Sequence, residues 1–226
     1  MISTILLSDM IKGAVFDVDG LLVDTEGYQY RGWVEVLKPL GLTITPEEYF
    51  QYAGKTGSLI EQELVKKYGL KIKERALIEV KEKLLIKWFG KESLKPMPHA
   101  KEAVQFFIDK GLKIAVCSGS PEEEIKLKLR KTGLDKFSLI ITSGNDVKRG
   151  KPFPDSYIMA AKKLGLKPEE CMAFEDTQYG LQSAKDAGLK CLAVPSQYST
   201  KQDFSRADGI FPSLREAVDF VKNHLI

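Results

Sequence analysis

Short runs of aliphatic and β-branched residues, separated by segments with helical patterning, constrain the fold of this chain most strongly. Each run is apolar almost throughout rather than at alternate positions, as expected for strands covered by helices on both faces. The runs predict strands at about 12–17, 112–118, 138–142, 171–175 and 189–194. Their alternation with helices predicts an α/β fold with a parallel sheet built from βαβ units.

The segment between the first two strands is too long for a simple crossover. Residues 25–93 show helical periodicity without a convincing strand. Their apolar side chains could line a small bundle, and the candidates are Trp33, Val34, Leu37, Leu64, Tyr68, Leu84, Leu85 and Trp88. We therefore predict a helical cap domain at 25–93, inserted into a core domain formed by 1–24 and 94–226.

Four Ser/Thr-x-x-Glu patterns predict helix starts, because an N-cap hydroxyl and a glutamate three residues later satisfy the first backbone amides. In one of them, Ser120 is the predicted N-cap and Pro121 the first helical residue. The patterns are Thr45-Pro46-Glu47-Glu48, Ser58-Leu59-Ile60-Glu61, Ser120-Pro121-Glu122-Glu123 and Ser213-Leu214-Arg215-Glu216.

Composition argues against several classes of function. Lysine and arginine number 34 against 31 acidic residues, a balance too even for a nucleic-acid-binding protein. No apolar run approaches the ~18 residues of a membrane span, and the first ten residues lack the features of a signal peptide. Met10 could itself be the natural start. The cysteines Cys117, Cys171 and Cys191 lie in apolar runs, as expected of reduced, buried thiols in a cytoplasmic protein.

The segment Asp17-Val18-Asp19-Gly20 ends the first predicted strand with two carboxylates. The carboxyl ends of strands form the ligand crevice in doubly wound sheets. Two neighbouring anions there repel each other unless a cation or a shared proton compensates. No histidine is nearby, so Mg²⁺ is the natural compensation. The alternative is an acidic turn that caps the next helix.

Three further polar groups follow other predicted strands. Ser118 and Gly119 precede a helix and suggest an anion-binding loop. Lys151 is followed by Pro152 and Pro154, which would stiffen its loop, and Glu175 and Asp176 end the strand CMAFE. Singly, each could be an N-cap, a solvated charge or a helix cap. Their common position at one edge of the sheet favours a site for a metal and a phosphate.

The motifs DVDGLLVDTE, AVCSGS, GKPFPD and FEDTQYG together resemble those of the haloacid dehalogenase-like hydrolase superfamily. The resemblance covers residues 12–223 and is to the branch that contains β-phosphoglucomutase and sugar-phosphate phosphatases. It implies a Rossmann-like core with a helical cap inserted after the first motif.

The resemblance also implies a mechanism. Asp17 would attack phosphorus and form an aspartyl-phosphate, while Asp19 would protonate the leaving oxygen and later activate water. Mg²⁺ would be held by the Asp17 carboxylate, the Asp19 main-chain carbonyl and Asp176, with Glu175 assisting directly or through water.

In the same way, Ser118, the Gly119 amide and Lys151 would neutralise the phosphoryl oxygens. The mutase of this branch carries a cap histidine four residues after the threonine of the first motif, where this chain has Gln29. An amide cannot shuttle protons, which favours transfer to water. Lys55, in YAGKTGS, would touch the substrate, or it is an exposed loop lysine.

The sequence thus predicts a monomeric, Mg²⁺-dependent phosphatase of a small phosphorylated metabolite: a sugar, polyol or nucleotide phosphate. A phosphomutase of the β-phosphoglucomutase type is the alternative. A non-enzymatic receiver domain or binding protein is a remote third, since receiver domains are about half this length and lack a helical insertion.

Overall fold

A computed structural model of the chain describes residues 11–224. The expectations about the first ten residues, including the start at Met10, lie outside that range. Within it, six parallel strands form one sheet with the order β3-β2-β1-β4-β5-β6. The strands are β1 (Gly13–Phe16), β2 (Lys113–Cys117), β3 (Ile140–Thr142), β4 (Cys171–Glu175), β5 (Lys190–Ala193) and β6 (Gly209–Ile210).

The five predicted strands are therefore confirmed, with bounds that differ by at most two residues. The sequence did not predict β6. That strand has only two residues and lies at the edge of the sheet, where Ile210 is 57% exposed. Such a short, half-solvated strand leaves no continuous apolar run in the sequence.

The strand order fixes where a ligand can bind. From β1 the chain builds outward through β2 and β3, then returns to place β4 on the other side of β1. In open α/β sheets the binding crevice lies at this reversal, beyond the carboxyl ends of the strands. Phe16 of β1 is in register with Val116 and with Phe174 of β4, so the three strands end side by side.

Burial on both faces explains the apolar strands. Every residue of β1 is buried. Phe16 stacks on Phe174 with 4.8 Å between the ring centroids, and Phe107 packs against both rings on that face. On the opposite face Val15 packs with Tyr157. All three cysteines are buried and unpaired, as predicted.

Four α-helices occupy the predicted insertion at 25–93, between β1 and β2. They are α1 (Glu26–Leu37), α2 (Pro46–Phe50), α3 (Gly57–Tyr68) and α4 (Ala76–Lys91). The chain enters and leaves this segment at adjacent points, because the Asp24 amide donates to the Lys95 carbonyl at 3.0 Å. The helical insertion is thus present, whereas its treatment as a separate domain with bounds 25–93 stays a prediction.

Most of the residues predicted to line the bundle pack there, including Trp33, Leu37 and Leu64. The prediction is wrong for Leu85 and Trp88, which pack against the core of the sheet. Helix α4 is 16 residues long and packs against both a core helix and α1 of the insertion, where Arg31 lies over the ring of Trp88.

The remaining helices flank the sheet. They are α5 (Ala100–Asp109), α6 (Glu122–Thr132), α7 (Asp155–Leu164), α8 (Gln178–Asp186) and α9 (Leu214–His224). None of the helices between residues 11 and 224 combines the length and apolarity that crossing a bilayer requires.

Two of the four predicted helix starts are confirmed. Thr45 forms the full capping box with Glu48, and the Ser213 hydroxyl accepts from the first amides of α9. The helix start predicted with Ser58 as N-cap is wrong, because α3 begins at Gly57 with Thr56 as its N-cap. The Ser58 hydroxyl instead accepts from Arg75.

The box at Ser120 is also wrong. Pro121 has an extended ψ of 148° and occupies the N-cap position itself, so α6 begins at Glu122. The Ser120 hydroxyl is thereby freed from capping. It lies 2.9 Å from Oε1 of Glu124 and 3.0 Å from Nζ of Lys128, inside the protein.

Gly180 of α8 allows the buried Glu175 carboxylate to approach the helix. A Cβ at Gly180 would lie 2.0 Å from Oε1 of Glu175. We expect Gly180→Ala to lower the free energy of unfolding in urea by about 1–3 kcal/mol, since overpacking displaces neighbours. The matched control is Gly90→Ala in α4, where the added methyl meets no atom within 4 Å. It should stabilise by about 0.5–1 kcal/mol. Equal stability of the two variants would contradict this packing.

Candidate active site

Asp17 follows β1 directly and projects into the crevice at the reversal of strand order. Its side chain is 9% exposed and forms a short ion pair with Lys151. Three residues on, Gly20 has φ of +82°, a conformation that side chains disfavour. A Cβ there would lie 2.3 Å from Oδ2 of Asp176, so the turn after β1 requires glycine.

Lys151 is a buried bridge rather than a solvated charge. Its ammonium contacts Asp17, lies 2.6 Å from Oε1 of Glu175 and 3.2 Å from the carbonyl of Cys117. Glu175 is fully buried, and its Oε1 also accepts from the hydroxyl of Tyr157 at 2.6 Å. Lys151 thus links the carboxyl ends of β1, β2 and β4.

Asp176 is a buried carboxylate without a compensating group. Neither of its oxygens has a hydrogen-bond partner among residues 11–224, although the residue is 1% exposed. Carboxylate oxygens of Asp17, Glu175 and Asp176 lie within 4.8 Å of one another. Burial and then the neighbouring carboxylates Asp17 and Glu175 raise the pKa of Asp176 well above its usual range. Burial likewise raises the pKa of Asp17, although Lys151 opposes it.

This carboxylate cluster, Asp17, Glu175 and Asp176, has the composition of a site for a hard divalent cation. If all three carboxylates were ionised, the single ammonium of Lys151 would leave two negative charges uncompensated. Buried charge of that size is costly unless a counter-ion binds. All-oxygen donors suit Mg²⁺ or Ca²⁺ rather than a soft metal. The two Asp176 oxygens have no hydrogen-bond partner among the described residues, and this is the observation that fits a bound cation most specifically.

Asp19 lies apart from that cluster. Its Oδ1 accepts from Lys128 at 2.5 Å and from the Thr25 hydroxyl at 2.6 Å. Its Oδ2 accepts from the Ser118 hydroxyl at 2.9 Å. Burial opposes ionisation, but Lys128 and these hydrogen bonds outweigh it and lower the pKa of Asp19 to about 2. The carboxylate is therefore ionised at neutral pH.

The loop after β2 lies beside Asp19. The Ser118 hydroxyl donates to Asp19 and accepts from the Ser120 amide at 3.1 Å, so Ser118 is not an N-cap. Gly119 lines the pocket, and a Cβ there would touch Thr56 of the helical insertion at 3.4 Å. The loop leaves narrow space between the insertion and the core.

One pocket brings most of the predicted site residues together. From the core it is lined by Asp17, Asp19, Ser118, Gly119, Lys151 and Asp176, and from the insertion by Gln29 and Lys55. Glu175, fully buried, is not in the pocket wall but supports it through Lys151. The predicted convergence of four distant segments is present in the fold, and the role of each residue stays a prediction.

Gln29 and Lys55 both make contacts within the protein. Gln29 Nε2 lies 3.4 Å from Oδ1 of Asp19 and 3.4 Å from Oε1 of Glu124. Its own Oε1 accepts from Lys81 at 2.5 Å. Lys55 pairs with both oxygens of Glu63 at 2.8 Å, and its side chain is 11% exposed, so it is not an exposed loop lysine.

Sequence reasoning missed several buried polar residues of the pocket. Glu26 accepts from the Tyr49 hydroxyl at 2.8 Å, and burial followed by the charge of Asp19 raises the pKa of Glu26 to about 7. Lys81 lies over the ring of Trp33 at 5.2 Å. The sequence offered no signal for these residues, because their helices carry many exposed charges of the same types.

Comparison with known proteins agrees with this geometry. A family model described as haloacid dehalogenase-like hydrolase matches residues 11–188. The protein YhcW of Bacillus subtilis is 34% identical over 209 residues, which span 92% of this chain and 94% of that protein. The phosphorylated carbohydrates phosphatase of Thermotoga maritima is 29% identical over 184 residues, spanning 80% and 83% of the two chains.

Among solved structures, a mutant of CbbY from Rhodobacter sphaeroides in complex with xylulose-(1,5)-bisphosphate superposes with a TM-score of 0.81. The two chains are 25% identical, and the match covers 92% of this chain and 96% of CbbY.

The uncompensated carboxylates should cost stability when no divalent cation is present. In chelator at neutral pH, we expect Asp176→Asn to raise the melting temperature, because a buried carboxyl group beside Asp17 and Glu175 costs free energy whether it is ionised or must take up a proton. The control is Asp109→Asn, the same change at an exposed site, which should alter the free energy of unfolding by no more than about 0.5 kcal/mol. A lower melting temperature for Asp176→Asn than for wild type would show that its carboxylate is satisfied without a cation.

Proposed function

The chain belongs to the haloacid dehalogenase-like hydrolases and is a phosphatase of that superfamily, and we propose that it hydrolyses small phosphorylated sugars through a phosphoryl group carried on Asp17. The buried Asp176, unpartnered and beside Asp17 and Lys151, is the observation that carries the proposal. It supports a cation and a phosphate binding next to the same nucleophile.

In the proposed reaction, an oxygen of Asp17 attacks phosphorus, a P–O bond to Asp17 forms and the bond to the sugar oxygen breaks. Lys151 holds Asp17 in place and faces the negative charge of the transferring phosphoryl group. Ser118 and Gly119 line the same pocket, and the Gly119 amide would be a further donor to the phosphoryl oxygens, as would the Ser118 hydroxyl if it turned from Asp19. Water then cleaves the acyl phosphate, releasing inorganic phosphate and restoring the Asp17 carboxylate.

Mg²⁺ suits the carboxylate cluster by its oxygen donors and would neutralise phosphate charge when bound. Asp17 and Asp176 would ligate it with their carboxylates, and Asp19 with its main-chain carbonyl. Glu175 is already bound to Lys151 and Tyr157, which favours a supporting role through water over direct ligation.

Proton transfer falls to Asp19. Because Asp19 is ionised before substrate binds, it is ready to take a proton from the attacking water in the second step. To protonate the leaving sugar oxygen in the first step it must acquire a proton. A phosphate monoester has a second pKa of about 6 and can bring that proton into the pocket as its monoanion.

The insertion side of the pocket supports a sugar or polyol as the organic part of the substrate. Its polar groups include the Glu26 carboxyl, the Gln29 amide and the Lys81 ammonium, with Trp33 as an apolar wall. Such closely spaced donors and acceptors suit several hydroxyl groups. The name of the Thermotoga maritima relative, a phosphatase of phosphorylated carbohydrates, supports the same class. Contact of Gln29 or Lys55 with the substrate belongs to this proposal.

Phosphomutase activity is the second candidate, and the contacts of Gln29 argue against it. Its amide bonds to Lys81, Asp19 and Glu124 and has no titratable group that could relay a proton to a sugar hydroxyl. Water is therefore the favoured acceptor. The monomeric state and the cytoplasmic location stay predictions from the sequence.

A panel of sugar, polyol and nucleotide monophosphates, assayed for released phosphate, tests the proposed function. We expect release from sugar phosphates in Mg²⁺ and a loss of activity in chelator. Conversion of β-glucose 1-phosphate to the 6-phosphate without release would instead identify a mutase. Full activity in chelator would contradict the cation.

Asp17→Asn tests the covalent step. The neutral amide is a poor nucleophile, and we expect the turnover number to fall by more than about 10³-fold. Acid-quenched wild-type protein should carry the mass of one phosphoryl group during turnover, and Asp17→Asn should not. Asp109→Asn serves as the control. A phosphorylated Asp17→Asn protein would place the phosphoryl group on another residue.

A further inference from the structure

Lys128 and Glu124 of α6 form a buried ion pair against Asp19, and neither residue belongs to a motif described above. Resting on the proposed function, we propose that Lys128, anchored by Glu124, is a positioning residue that fixes the Asp19 carboxylate for proton transfer.

The Lys128 ammonium is fully engaged. Its Nζ lies 2.5 Å from Oδ1 of Asp19, 2.5 Å from Oε1 of Glu124 and 3.0 Å from the Ser120 hydroxyl. An ammonium has three hydrogens to donate, so each has an acceptor. The side chain is fully buried, which excludes direct contact with a substrate. Lys128 therefore acts on the reaction only through the groups that it holds.

Stability alone does not account for this pair. The side chains of Lys128 and Glu124 are 0% and 2% exposed, so both charges are removed from water. Replacing a buried ion pair by apolar residues of similar volume is often neutral or stabilising. This pair contacts the carboxylate of Asp19, the proposed proton-transfer residue, and so can hold that carboxylate in one orientation.

The contacts of Asp19 show what the pair fixes. Lys128 and Thr25 hold Oδ1, and Ser118 holds Oδ2, so rotation of the carboxylate would break a bond at each oxygen. Gln29, the contact from the insertion, is longer at 3.4 Å. The shortest of these bonds comes from α6 in the core. Asp19 is thus held most closely by Lys128 of a core helix, together with Ser118 of the core and Thr25 at the start of the insertion.

The same helix supplies a matched control. Glu122 and Lys126 form an ion pair with the same i,i+4 spacing at 2.6 Å, but their side chains are 49% and 61% exposed. This pair points to solvent and lies outside the pocket wall. Substitutions there change the charge and helix propensity of α6 equally without touching Asp19.

The test compares Lys128→Met with Lys126→Met on two substrates: the sugar phosphate that ranks first in the panel, and p-nitrophenyl phosphate. A sugar alkoxide leaves poorly and needs a proton, whereas p-nitrophenolate leaves readily without one. A positioned acid contributes about 10²–10⁴-fold. We expect Lys128→Met to lower kcat/KM for the sugar phosphate about 100-fold and for p-nitrophenyl phosphate less than about 10-fold.

Asp19→Asn should show the same dependence on the leaving group, and Lys126→Met should match wild type on both substrates. Equal losses on the two substrates, or no loss, would overturn the positioning role. Equal losses are the signature of a merely structural lysine. A wild-type protein that released no phosphate from any sugar phosphate would instead refute the proposed function. Failure of the proposed function can therefore be told apart from failure of the positioning role.

Because Lys128→Met leaves Glu124 buried without its partner, a second variant guards against misfolding. Glu124→Gln combined with Lys128→Met removes both charges of the pair and retains the volume of α6. Its melting temperature should lie within a few degrees of wild type, and it should show the same difference between the two substrates. A folded double variant with the wild-type substrate ratio would equally overturn the proposal.

Discussion

A single ammonium buried among carboxylates holds the crevice together. Lys151 reaches Asp17 at the end of β1 and Glu175 at the end of β4, and it also contacts the carbonyl of Cys117 at the end of β2. Asp176, beside them, lies outside its reach and has no partner of its own among the described residues. The proposed cation would balance the charge of the ionised cluster, and its binding would then couple the stability of the fold to its chemistry.

The sheet topology makes that arrangement possible. The reversal of strand order between β1 and β4 opens a crevice at their carboxyl ends. A second polar centre, around Asp19, lies next to it, where Lys128, Ser118 and Thr25 converge. In the proposed mechanism the two centres have different roles. Asp17 and its neighbours would bind and transfer the phosphoryl group, while Asp19 would transfer the proton.

Much of the fold and of the candidate site could be predicted from the sequence, because both depend on local patterns. The five longer strands are continuous apolar runs. Asp17, Lys151 and Asp176 are predictable because residues that follow parallel strands meet at one edge of the sheet. The resemblance of four motifs to one superfamily supplied roles that geometry alone leaves open.

The features that the sequence did not predict depend on tertiary packing. Glu124 and Lys128 have the spacing of an ordinary exposed helix pair, and only the position of α6 against Asp19 buries them. Ser120 matched a capping box, but the backbone at Pro121 displaced the helix start. Leu85 fitted the bundle by periodicity, yet α4 extends far enough to pack it against the sheet.

The proposed chemistry depends most on one cation bound between Asp17 and Asp176. The most direct measurement is anomalous diffraction from crystals grown with Mn²⁺, which takes the oxygen ligands of Mg²⁺ and can be located by its scattering. We predict a single strong peak within bonding distance of carboxylate oxygens of both residues, and its loss in Asp176→Asn. A peak elsewhere, with Asp176 still unpartnered, would contradict the account.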